Sequence, residues 1–98
     1  MDEVIYYNQL YDLYGQLLTE KQQEYFENYY FNNLSLSEMA DNYGVSRNAI
    51  HKQLKIVIDK LEHYENILQL NDKFKKLELI LEEINNEQIC KEIEEIFY

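Results

Sequence analysis

Proline is absent from this chain, and glycine occurs only at Gly15 and Gly44. A β-rich domain of 98 residues needs far more turn punctuation than that, so a chain of helices is expected. Cys90 is the single cysteine, which excludes an intramolecular disulfide and fits a reducing compartment. Long apolar runs are lacking too, and none approaches the ~18 residues that a membrane span needs. The sequence begins Met1-Asp2-Glu3, acidic where a secretory leader would be basic, so a cytoplasmic location is expected. Two glycines cannot build a phosphate-cradling loop. His51 and His63 stand twelve apart, with no cysteine or carboxylate at metal-ligand spacing. Glu82-Glu83 and the run Glu92, Glu94, Glu95 read as solvated helix faces, and Cys90 as a small buried hydrophobe. No catalytic constellation, metal set or cofactor site is therefore expected, and the chain is not read as an enzyme.

Positive charge is the last scarcity. Nine basic residues face nineteen acidic ones, a formal net charge of −10. That is awkward for a nucleic-acid binder, because phosphate contacts come from Lys and Arg. The distribution softens the objection. Within residues 35–60, Arg47, Lys52, Lys55 and Lys60 outnumber Glu38, Asp41 and Asp59 by one, so the rest of the chain carries −11.

The hydrophobic pattern is helical throughout. Val4, Tyr7, Tyr11, Tyr14 and Leu18 recur at three and four residues, with Leu10 and Leu17 widening the stripe, which predicts a first helix over about 2–18. Thr19 with Gln22 has capping-box spacing and opens a second helix striped by Tyr25, Phe26, Tyr29 and Tyr30. Asn32-Asn33 ends it. Ser35 with Glu38 forms another capping box, opening a short helix with Leu36, Met39, Ala40 and Tyr43 on one face. Ile50, Leu54, Val57, Leu61, Tyr64 and Leu68 then keep a 3.5-residue repeat. Continuous to Leu70, that helix would be about 37 Å long. Asn71-Asp72 offers the next break, followed by a helix with Phe74, Leu77, Leu81 and Ile84, then a short one with Ile89, Ile93 and Ile96. Most of the ten tyrosines fall on these stripes and read as core, with Tyr6 and Tyr98 the expected exposed exceptions.

The informative segment runs from Leu36 to Ile50. A helix-turn-helix needs a small residue where its helices cross, which Ala40 supplies, and a residue tolerant of positive φ in the turn, which Gly44 supplies. It needs a buried aliphatic after that glycine, Val45, and another on the second helix, Ile50. Ser46 caps the second helix. That helix then presents Arg47, Asn48, His51, Lys52 and Lys55 away from Ala49, Ile50 and Leu54. Arginine and asparagine near its start suit the edges of guanine and adenine, and the lysines suit phosphate. The candidate nucleic-acid-binding residues are thus Ser46, Arg47, Asn48, His51, Lys52 and Lys55.

These residues carry a resemblance. Leu17-Leu18-Thr19-Glu20-Lys21-Gln22, Tyr29-Tyr30, Leu34 through Ala40, and Gly44-Val45-Ser46-Arg47 with Ala49-Ile50 resemble region 4 of bacterial sigma factors. The continuation through Leu54-Lys55, Leu61-Glu62, Tyr64-Glu65, Leu68 and Leu70 is similar to the YlxM family of small sigma-region-4-like proteins. The resemblance covers roughly residues 8–70. It implies a cytoplasmic helix-turn-helix protein whose gene neighbours those of the signal recognition particle, and participation in, or regulation of, co-translational targeting. One departure stands out. Sigma recognition helices are studded with arginine, whereas this one continues Ile56-Val57-Ile58-Asp59 after Lys55, trading phosphate contact for apolar surface.

The expected architecture is one all-α helical bundle over 1–98, with a sigma region 4-like helix-turn-helix core at 19–60, a long recognition helix, and a C-terminal helical extension at 61–98. The expected function is nucleic-acid-binding regulation. Duplex DNA is favoured over RNA, signal recognition particle components are candidate partners, and no membrane contact is expected. The alternative is a protein-interaction module that binds the targeting machinery without touching nucleic acid. The long helix is apolar on more than one side, so a homodimer through residues 60–98 is also expected.

Overall fold

The computed structural model describes residues 2–97, among which every regular element is helical. Helix α1 spans Asp2–Tyr14 and runs into a 3-10 turn at Gly15–Leu17; α2 spans Glu20–Phe26 and loosens into a π-turn at Glu27–Phe31. Helices α3 (Leu36–Tyr43), α4 (Arg47–Leu68), α5 (Leu70–Glu83) and α6 (Glu87–Phe97) follow. No helix among the described residues is long and apolar enough to cross a membrane.

Local chemistry sets these boundaries. Both capping boxes form: Gln22 N donates to Thr19 Oγ1 while Thr19 N donates to Gln22 Oε1, and Ser35 and Glu38 repeat the exchange. Each satisfies two amides that a helix start leaves unbonded. The first helix stops at Tyr14 rather than Leu18. Gly15 is buried beneath the Tyr11 ring, where a Cβ would lie 3.0 Å from Cε1, and Tyr11 is itself stacked on Phe26 at 4.2 Å. The tighter turn leaves Leu17 exposed and drops Leu18 into the core.

Helix α4 is the spine of two adjoining cores. Its near half gives Ile50 and Leu54 to a cluster with Tyr25, Met39 and Ala40. Its far half gives Val57 and Leu61 to a cluster with Leu10, Tyr14, Leu18 and Phe26. Val4, expected on the core stripe, is exposed, and so is Leu68. Tyr6, expected exposed, is half-buried against the second of these clusters. Tyr98 lies outside the described residues.

The break after α4 falls at Gln69, with φ 56°, and not at Asn71-Asp72, which lie inside α5. Glu65 is the physical cause. Its side chain is buried, and Oε1 accepts from Tyr14 Oη at 2.6 Å and from Asn71 N at 3.0 Å, while Oε2 accepts from Asp72 N at 3.2 Å. A carboxylate of α4 thereby caps the start of α5, where amides and helix dipole both favour negative charge. Beyond this node the packing thins. None of α6 is buried, Cys90 is half-buried with its thiol toward Leu81 O and Ile84 O, and Phe74 meets Phe97 edge-on. The radius of gyration is 16.9 Å, against roughly 13 Å for a compact globule of this size, because α5 and α6 extend from the bundle.

Candidate nucleic-acid interface

Helix α3 ends as its composition requires. Gly44 adopts φ 66°, ψ 35°, its N–H donates to Ala40 O and Asp41 O, and Val45 N donates to Ala40 O at 3.0 Å. This double closure is the left-handed helix ending that glycine makes cheap. Val45 departs from expectation. The backbone bond holds it in the turn, but its side chain is 43% exposed and so is not a core residue. Ala40 and Ile50 are buried at the crossing as expected, whereas Leu36 is half-buried at its edge. Tyr43 ties the end of α3 back to α2: its hydroxyl donates to Glu24 Oε1 at 2.7 Å and accepts from Asn28 Nδ2 at 3.0 Å. Burial, followed by the bond to Glu24, pushes its pKa up to about 12.

Ser46, Arg47, Asn48, His51, Lys52 and Lys55 are all exposed, over the first two and a half turns of α4. Ser46 is committed to structure, because its Oγ accepts from Ala49 N at 3.1 Å. With Arg47, Asn48, His51 and Leu36 it lines an open groove of about 600 Å³ against α3. Lys52 stands outside this groove. Lys55 is drawn down the helix to Asp59, its Nζ 3.7 Å from Oδ2, with both side chains largely in solvent. Among the described residues no acidic side chain lies within ion-pair distance of Arg47 or Lys52. Glu65, which could have opposed this face, is turned inward and spent on α5. Glu62 is half-buried and lines a second groove further along α4, with Tyr7, Tyr29 and Tyr30.

Sequence reasoning missed this second groove. It assigned those tyrosines to the core, yet all three are only half-buried. The available signal was their number: ten phenol hydroxyls in 98 residues exceed what a small core can satisfy.

Two helices joined at a left-handed turn, the second with an exposed polar and basic start, make this a helix-turn-helix protein. The chain belongs to the UPF0122 family of YlxM / p13-like helix-turn-helix proteins, matching it over residues 1–97. A UPF0122 protein of Shouchella clausii is 42% identical over 84 residues, covering 86% of this chain and 77% of the relative. One from a Thermoanaerobacter species is 39% identical over 106 residues, covering 97% and 91%. One from Malacoplasma penetrans is 42% identical over 84 residues, covering 86% and 78%.

Proposed function

We propose that this protein is a cytoplasmic nucleic-acid-binding regulator that reads duplex DNA with the N-terminal face of α4. The supporting observation is the exposed set Arg47, Asn48, His51 and Lys52, clear of ion-pairing acids, at the positive end of a 22-residue helix. In this reading Arg47 and Asn48 approach base edges, Lys52 and the free amides of the helix start hold phosphate, and Lys55 contributes less because Asp59 competes for it. Residues 19–60 form the binding unit, with the sigma region 4-like arrangement the sequence resembles. The extension expected at residues 61–98 would pair two subunits through its part beyond α4, where Leu79, Ile80, Ile89, Ile96 and Phe97 are exposed. In this reading the regulation acts in the signal recognition particle pathway, which the resemblance to YlxM proteins supports.

The deciding experiment is binding to duplex DNA, and separately to the targeting-particle RNA, across a salt series. The expected result is duplex binding whose affinity falls steeply with salt, as displacement of counterions requires. Absence of binding to both polymers at low salt would refute the reading. A second reading, docking on a component of the targeting machinery without nucleic acid, is favoured by the net charge of −10 and by Asp59 and Glu62 flanking the basic face.

A further inference from the structure

The second groove lies between α1, the π-turn and α4, with a volume of about 570 Å³. Tyr7, Tyr29 and Tyr30 form its aromatic wall. Tyr7 meets Tyr30 with centroids 6.2 Å apart and planes at 71°; Tyr29 meets Tyr30 at 5.0 Å and 83°. Rings set nearly perpendicular do not cover one another face to face. Phe26 stacks on the core side of Tyr30 at 4.5 Å, and the remaining surface of the three half-buried rings makes an open-sided aromatic box along the groove. From α4, Asp59 and Glu62 supply carboxylates, and Leu54 and Ile58 an apolar floor. Glu62 stands close enough to Tyr7 to add to the effect of burial in raising that phenol's pKa.

Aromatic faces carry partial negative charge, so a box of this kind attracts a cation, and adjacent carboxylates strengthen the preference. The molecule already contains an occupied example. Lys21 Nζ lies 5.9 Å from the ring centroids of both Tyr25 and Tyr43, whose planes are inclined at 50°. Among the described residues no lysine or arginine stands over Tyr7, Tyr29 or Tyr30. Lys55 lines the same groove but is turned to Asp59, and Glu62 has no ion-pair partner among the described residues.

We propose that this groove docks a basic segment of a partner protein, with one arginine or lysine entering the tyrosine box against Glu62 and its apolar neighbours lying over Leu54 and Ile58. Charge complementarity selects the occupant. Lys55 and Asp59 offset one another, so a phosphate chain or an acidic peptide meets the charge of Glu62, on a molecule of net charge −10, whereas a cation is drawn in. The volume is that of an ordinary ligand cleft, ample for one long side chain and its flanks. Leu36 and His51 line both grooves, so the docked segment lies directly beside the face proposed for nucleic acid.

The test uses the full chain and a fluorescein-labelled pentapeptide with arginine between leucines, beside the same peptide carrying citrulline, which keeps the shape and removes the charge. Anisotropy should show saturable binding of the arginine peptide and at least ~tenfold weaker binding of the citrulline one. Nuclear magnetic resonance should place the shifts on the rings of Tyr7, Tyr29 and Tyr30. Glu62→Gln should weaken the arginine peptide about tenfold. Glu94→Gln, which removes the same charge from α6, should leave it unchanged. Equal binding of the two peptides, equal loss in both variants, shifts confined to other residues, or no binding at millimolar peptide would each overturn the proposal.

Discussion

Apart from its chain neighbours, nothing lies within 4 Å of where a Cβ on Gly44 would stand, so any replacement there acts through the backbone alone. Gly44→Val is expected to lower the unfolding free energy by more than ~1 kcal/mol, since a β-branched residue is strained at positive φ. A denaturant titration with an unchanged midpoint would contradict this. The basic residues divide by role in the same way. Arg47→Ala should relax sequence preference at a loss of ~1–3 kcal/mol, whereas Lys52→Ala should weaken all sequences alike and lower the salt slope by about 1. Lys55→Ala should do less than Lys52→Ala, because Asp59 already holds that amine. Competition binding at several salt concentrations separates the three. The Gly44 turn and the exposure of the six candidate positions were legible because each follows from a local rule of turn or helix chemistry. Val45 was not, because its exposure depends on how far neighbouring helices reach over the turn.

The elements repeat this division. Thr19, Ser35 and Ser46 each satisfy amides within three residues of themselves, so three helix starts could be read directly. The end of α4 could not, because the carboxylate that caps α5 reaches across the Gln69 turn and is held by Tyr14, 51 residues away. Tyr14→Phe removes both the donor to Glu65 and the acceptor for Leu70 N, at 3.1 Å. It is expected to destabilise the fold by ~1–3 kcal/mol and to lower hydrogen-exchange protection at the Leu70 and Asn71 amides. Unaltered protection there would mean that the junction is held by other contacts. The π-turn was equally hidden. Its wider winding rotates the residues after Phe26 relative to an α-helix, which leaves Phe31 exposed and sets Tyr29 and Tyr30 along the groove.

At the scale of the whole molecule, tyrosine burial couples stability to alkaline pH. Tyr11, Tyr14, Tyr30 and Tyr43 are each pushed up to about 12 from an ordinary value of 10.0, in every case chiefly by burial. The folded state thus favours the neutral phenol. The stability this contributes is fully present below pH 10 and is lost as pH rises towards about 12. Unfolding free energy should therefore fall across that window, with tyrosinate absorbance appearing together with loss of helix. Phenols that ionise well before the helices melt would contradict it. Assembly is the second property at this scale. Light scattering at micromolar concentration should give twice the chain mass, through α5 and α6; a monomer mass unchanged on concentration would remove the dimer.

The sequence by itself determined that this chain is helical, that Ser35 to Ile50 form a helix-turn-helix, and that a polar and basic face opens α4. Those features rest on residues within a turn or two of one another, where spacing dictates contact. Only the tertiary structure decided where α4 ends, which tyrosines line a groove, and that Glu65 faces inward while Glu62 stays beside the basic face. Each of these turns on which distant side chain reaches a given position first, and periodicity along the chain carries no information about that.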